Sequence, residues 1–258
     1  MAKMARVRQP EIRQAVADGE LPIARMIPSG LTIIGLCCGA TAMRFAWYGH
    51  YKGAVAAIVV AAIFDLLDGR AARLFGTDSA FGAQLDSLAD LVSFGIAPAM
   101  LVYMWTLNRA GAAGWAAVLA FCVCCAVRLA RFNTEAEAEG EDRAPVQYFT
   151  GVPTPAAACL ILLPLLLSFE VSQTMQTILQ RPFVSIAVMA LTSLLMISRV
   201  PTVSLKGYRV PRAARGLVTA LAIMLLVSGI LFPWWTMSIG LIAYLLSIPV
   251  SAALARPA

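Results

Sequence analysis

The chain has 258 residues, of which 60% are hydrophobic and 13% charged, and its mean hydropathy is +0.79. Soluble domains stand nearer half apolar and a quarter charged, so a water-soluble globular fold is excluded and an all-α, polytopic membrane bundle is expected. The formal net charge of +6 would suggest nucleic acid in a soluble protein, but here the basic residues stand at the edges of apolar runs. Topology and anionic lipid account for them there, and no nucleic-acid partner is expected.

Residues 1–25 are polar and charged and carry no cleavable signal pattern. Ile12, Val16, Leu21 and Ile23 alternate with Arg13, Asp18, Glu20 and Arg25, so this cytoplasmic segment reads as either an interfacial amphipathic helix or a polar tail. About 20 apolar residues cross a bilayer as a helix. Eight stretches come close, at about 29–49, 53–75, 82–106, 111–132, 150–169, 180–199, 214–232 and 234–254. With the N-terminus in the cytoplasm, only Arg44, Lys52, Arg109 and Arg181 of the 20 Lys and Arg fall outside. That asymmetry orients the bundle with both termini cytoplasmic. Between spans, residues 134–148 carry Glu135, Glu137, Glu139, Glu141 and Asp142 and read as a mobile acidic loop. Residues 199–215 are basic and contain Pro201 and Pro211. The six cysteines, Cys37, Cys38, Cys122, Cys124, Cys125 and Cys159, all lie in apolar runs and read as small buried hydrophobes rather than zinc ligands or disulfides.

The chemistry concentrates at residues 65–90. Carboxylates inside apolar helices cost a few kcal/mol each, and four of them stand here. Asp65 and Asp68 are three residues apart and share a helix face; Asp86 and Asp90 are four apart and share a face of the next helix. The short link between the pairs folds the helices back at the cytoplasmic edge, with both pairs toward one cleft. Four carboxylates in one space repel unless cations separate them, and oxygen-only ligands suit hard ions such as Mg²⁺, Mn²⁺ or Ca²⁺. Two bridged metals form a recurrent arrangement for phosphoryl transfer. Gly69, Ala71, Ala72, Gly82 and Ala83 leave room for a ligand or close helix approach, and Arg73 offers a guanidinium for phosphate. Residues alone also permit a divalent-cation transit site, although such a path would spread ionisable groups over more helices.

The order Asp65-x2-Asp68-Gly69-x2-Ala72-Arg73-x8-Gly82-x3-Asp86-x3-Asp90 resembles the signature of the CDP-alcohol phosphatidyltransferases. The resemblance implies transfer of a phosphatidyl group from CDP-diacylglycerol to an alcohol with release of CMP, a six-helix core and a homodimer. Within the family, three further segments resemble those of phosphatidylserine synthases: Arg128 to Asn133 at the end of the fourth span, Phe149 to Ala158 opening the fifth, and Ser198 to Lys206 closing the sixth. The similarity spans roughly residues 26–210, which would make 26–210 the membrane core and 211–258 two additional helices.

The resemblance implies L-serine as acceptor, with choline, glycerol 3-phosphate or an inositol phosphate as alternatives. It implies two divalent cations, Mg²⁺ or Mn²⁺, held by Asp65, Asp68, Asp86 and Asp90, with Asp90 also the general base. Gly69, Ala72, Arg73 and Gly82 would bind the nucleotide diphosphate, joined by Ser29 and Thr32 from the opening of the first span. Ser29 stands where the family often has asparagine. Arg128, Arg131, Asn133, Lys206 and Arg212 are candidates for holding the acceptor or a lipid phosphate. The expected setting is a prokaryotic inner (cytoplasmic) membrane, with membrane lipids as partners and the active site on the cytoplasmic side.

Overall fold

A computed structural model describes residues 26–75, 80–139, 148–198, 201–203 and 215–254. The chain is a membrane helical bundle. Helix α1, Met26–Trp47, turns at Gly49 into α2, Tyr51–Phe75, and the two pack along their length. Helix α3, Ala80–Asp90, runs through a π-helical turn, Leu91–Ile96, into α4, Ala97–Trp105. Helix α5, Ala112–Glu139, is followed by strand β1, Tyr148–Thr150. Then come α6, Thr154–Ile161, α7, Leu163–Ser168, α8, Gln173–Leu179, and α9, Pro182–Ile197. Strand β2, Pro201–Val203, precedes the C-terminal hairpin of α10, Arg215–Leu231, and α11, Pro233–Leu254.

The elements fall close to the expected stretches, but among the described residues length and apolarity qualify only three single helices, not eight, to cross a membrane: Met26–Trp47, Phe81–Trp105 and Ala112–Thr134. A fourth crossing needs Gln173–Leu179 and Pro182–Ile197 to act as one span despite a 56° bend. Helix α2 has the length but carries Lys52, Asp65, Asp68, Arg70 and Arg73.

Four local features depart from the sequence-based expectations. The fifth stretch is not one helix from residue 150; it begins at Thr154 and breaks at Leu162, ahead of Pro164. Proline lacks an N–H and clashes with the preceding turn, which interrupts the ladder. The all-α expectation misses β1 and β2, which pair antiparallel with Phe149 opposite Thr202. The acidic segment is helical through Glu139 rather than loop, consistent with the helix propensity of its Ala and Glu residues; residues 140–147 lie outside the described set. The π turn after Asp90 was also unanticipated. The 9–25 segment, Lys206 and Arg212 lie outside the described residues.

The core is apolar and continuous. Phe94, Leu101, Phe121, Leu160, Leu165, Leu166 and Met189 are fully buried within it. Polar ties cross it away from the aspartates: Tyr51 donates to the Met104 carbonyl at 3.2 Å, and Thr106 to Ser185 at 3.0 Å. The six cysteines are unpaired; Cys125 is buried as expected, but Cys37 is exposed and the other four are half-buried, because they lie on outward or partly covered helix faces.

Candidate active site

The α1–α2–α3 packing creates one polar cleft in this apolar body. Carboxylate oxygens of Asp65, Asp68 and Asp86 all come within 4.8 Å of one another. Asp90, one turn beyond Asp86, lies against Asp65 with the two carboxyl groups in hydrogen-bond reach. Asp68 is only 5% exposed, a burial that an ionised carboxylate tolerates only with compensating partners. Thr32 of α1 supplies one, donating to Asp68 Oδ2 at 2.6 Å while also lying 3.0 Å from the Pro28 carbonyl. The cleft encloses about 200 Å³ including its open mouth. Thr32, Gly35, Leu36, Ala61, Ala89, Ser93 and Phe94 complete its wall.

The hydrogen bonds that Asp68 receives from Thr32 and the Gly69 backbone do not offset four clustered carboxyl groups. The donor set is oxygen-only, converges from two helices and keeps free lone pairs, which fits a hard divalent cation.

Helix α3 is held to its neighbours on both sides of Asp90. Asn133 Nδ2 on α5 donates to Ser87 Oγ at 2.8 Å. Ser93 on the π turn donates to the Gly35 carbonyl of α1 at 3.2 Å. Gly39, one turn further along α1, is where the π turn comes closest: a Cβ there would stand 2.7 Å from Ser93 Cα and 2.9 Å from its Cβ. A π turn inserts an extra residue into the helical ladder. Here it begins at Leu91, immediately after Asp90, and keeps Ser93 and Phe94 on the cleft wall with the aspartates.

The remaining predicted residues take varied positions. Thr32 reaches the cleft, whereas Ser29 is half-buried beside it in sequence but is not part of the wall. Gly69 and Arg73 are exposed on α2, where Arg73 Nε donates to the Gly69 carbonyl at 2.9 Å. Ala72 and Gly82 are half-buried on the facing segments. Asn133 is engaged with Ser87, so its side chain braces the carboxylate helix. Arg128 donates from Nη1 to Thr154 Oγ1 at 3.1 Å and stands close enough to Asp90 for their charges to interact. Arg131 is half-buried nearby on the same helix.

Ser87 and Ser93 were not singled out from sequence. Ser93 is seven residues after Asp86, two helical turns along the same face, which is the signal that could have marked it. Ser87 carries no comparable mark, because its role depends on a partner 46 residues away.

Comparison with known proteins gives this geometry a context. The model of the CDP-alcohol phosphatidyltransferase family matches residues 25–197. A Mycobacterium leprae protein named CDP-diacylglycerol–serine O-phosphatidyltransferase is 37% identical over 227 residues, covering 87% of this chain and 74% of that relative. A Mycobacterium tuberculosis protein of the same name is 34% identical over 225 residues, covering 87% of this chain and 77% of its own length. A Bacillus subtilis namesake is 37% identical over 138 residues, or 53% of this chain and 74% of that protein. The matched region holds the four aspartates and every side chain lining the cleft, and the chain belongs to the CDP-alcohol phosphatidyltransferase family.

Proposed function

We propose that the protein transfers the phosphatidyl group of CDP-diacylglycerol to L-serine, giving phosphatidylserine and CMP. The observation that carries this reading is the convergence of Asp65, Asp68 and Asp86 in one cleft within a chain whose relatives over 87% of its length bear the serine-transferase name. The Arg128–Asn133, Phe149–Ala158 and Ser198–Lys206 segments support serine over choline, glycerol 3-phosphate or an inositol phosphate.

Asp65, Asp68 and Asp86, with Asp90 completing the set, would hold two divalent cations, Mg²⁺ or Mn²⁺, whose charge when bound offsets the diphosphate and the departing CMP. The residues of the chain do the rest. Thr32 fixes the Asp68 carboxylate by its 2.6 Å hydrogen bond. The Ser87–Asn133 and Ser93–Gly35 bonds hold the Asp86–Asp90 turn in place, so that positioning is established before substrate arrives. Asp90 accepts the proton of the serine hydroxyl. The serine oxygen attacks the phosphorus that bears diacylglycerol, and the bond from that phosphorus to the bridging oxygen breaks. CMP leaves with the electron pair. Gly69, Ala72 and Gly82 leave space for the nucleotide, with Arg73 and Ser29 at its phosphate side. Arg128, Arg131, Lys206 and Arg212 are the cations available to the acceptor or lipid phosphate.

In this reading, residues 26–210 form the six-helix core of a homodimer, residues 211–258 add a hairpin, and the cleft opens to the cytoplasm at the inner membrane. The test is an acceptor panel with radiolabelled CDP-diacylglycerol and the purified full chain in mixed micelles. Serine alone is expected to yield labelled phospholipid and stoichiometric CMP, and EDTA is expected to stop the reaction until Mg²⁺ or Mn²⁺ is restored. Product with another alcohol but not serine reassigns the acceptor. Metal flux into proteoliposomes without CMP release would replace the enzyme by a transporter.

A further inference from the structure

Three buried side-chain atoms lack hydrogen-bond partners among the described residues: Arg128 Nε, Ser238 Oγ and Tyr244 Oη. A buried guanidinium N–H or phenol left unpaired costs about 1–3 kcal/mol, so an apolar bundle retains Arg128 and Tyr244 in this state at a cost unless a ligand pairs with them. The two groups come from different parts of the chain and lie within electrostatic range of each other.

Their placement follows from packing. On α5, Asn133 meets Ser87, and Cys122 Sγ approaches the Gly95 carbonyl at 4.0 Å. Arg128 falls between those contacts, at the level of Asp90 on the antiparallel α3. Its Nη1 is committed to Thr154 of α6, and its Nε is left without a partner. Helix α11 lies along α7 and β2 and buries a stripe of Trp234, Met237, Leu241, Tyr244 and Ile248 at intervals of three and four. Tyr244 is the one residue of that stripe with a side-chain hydroxyl, and the spacing turns it inward. At the outer end, the Trp234 ring meets Phe169 edge-on at 5.1 Å, which sets the depth of the helix.

We propose that Arg128 and Tyr244 together form a carboxylate-holding subsite beside Asp90, so that the C-terminal hairpin contributes directly to acceptor choice. This rests on the serine acceptor proposed above. A guanidinium edge and a phenol hydroxyl, both donors, match the two oxygens of an amino-acid carboxylate. An acceptor anchored there presents its hydroxyl toward Asp90. Tyr244 is thus a positioning and specificity residue, not a catalytic one. The same donors would serve a lipid phosphate, and the experiment separates the two.

The experiment is steady-state kinetics of the full chain in mixed micelles, varying serine and CDP-diacylglycerol separately. Tyr244→Phe keeps the ring and removes the hydroxyl. It is expected to raise the serine KM by roughly tenfold, the effect of one lost hydrogen bond to a charged group, with the CDP-diacylglycerol KM within twofold of the parent. Leu241→Ala, on the same buried stripe, is expected to lower the melting temperature without that selective rise. A rise in the CDP-diacylglycerol KM instead assigns the pair to lipid phosphate and overturns the proposal. An unchanged serine KM also overturns it. A second measurement needs no variant: serine methyl ester, which lacks the carboxylate charge, is expected to bind the wild-type protein at least tenfold more weakly than serine. Equal binding of the ester overturns the subsite. If the wild type does not use serine at all, the acceptor assignment fails first, and the two failures are distinguished.

Discussion

The α2–α3 pair and the α10–α11 hairpin spend their residues in opposite ways. The first places four carboxyl groups in an apolar chain and then supports them with Thr32, Ser87, Ser93 and Asn133. The second is apolar almost throughout. On α10, Ile223, Met224, Leu225, Leu226, Ile230 and Leu231 are all exposed, which suits a helix facing lipid tails. The costly groups of the first region are tolerable only where chemistry requires them. The hairpin earns its contact with the bundle through one stripe on α11 and its outer aromatic clasp, where Lys52 also lies over the Phe169 ring at 5.4 Å. Sensitivity to substitution is therefore expected to be steep around the cleft and shallow on α10.

The largest effect is expected at the cleft itself. Asp90→Asn keeps size and hydrogen bonding but cannot accept the serine proton, so turnover falls by about 10²–10⁴, while CDP-diacylglycerol binding, measured by equilibrium filtration, stays close to the parent. Robust turnover in that variant would remove Asp90 as base and flatten the contrast between the two regions. A smaller effect is expected where helices touch. Gly39→Ala puts a methyl group against Ser93, and overpacking of this kind costs roughly 1–3 kcal/mol. A lowered melting temperature together with reduced activity is the expected outcome; an unchanged melt would mean that α1 can shift without disturbing the π turn. The smallest effect is expected on the lipid-facing helix. Leu226→Ala removes exposed apolar surface and is expected to change stability by less than about 0.5 kcal/mol, with activity retained. A large loss there would show that α10 is covered by another protein surface.

The parts of this molecule that were readable in its sequence are those governed by short-range period. Asp65 and Asp68, and Asp86 and Asp90, sit three and four apart, and helical geometry alone brings each pair to one face. The apolar stretches were readable because bilayer thickness sets their length. What escaped depends on contacts distant in sequence. The π turn is matched to Gly39, more than 50 residues earlier, through Ser93. The strands are three residues each, too short to show alternation, and Tyr148 finds Val203 only once the intervening helices have folded. The acidic stretch concealed a helix end because its alternating Glu and Ala residues carry no apolar face to reveal the period. Tyr244 was invisible for the same reason as Ser87: a polar residue with no patterned neighbour gains meaning only from what it faces.

The strand pair also dictates an order of events during synthesis. Gly151, just after β1, holds a positive φ of 77°, and its Cα lies so close to the end of α9 that a Cβ would stand 2.8 Å from the Ser198 carbonyl. Thr154, which holds Arg128, follows three residues later. The four aspartates, Thr32 and Ser93 all lie within the first hundred residues, and the Asn133 brace on Ser87 is added with α5. The half that grips Arg128 cannot settle until β2, some fifty residues further on, has been made and paired with β1. Chains grow from the N-terminus and fold as they emerge, so the aspartate side of the cleft is made well before the Arg128–Thr154 side is tied down.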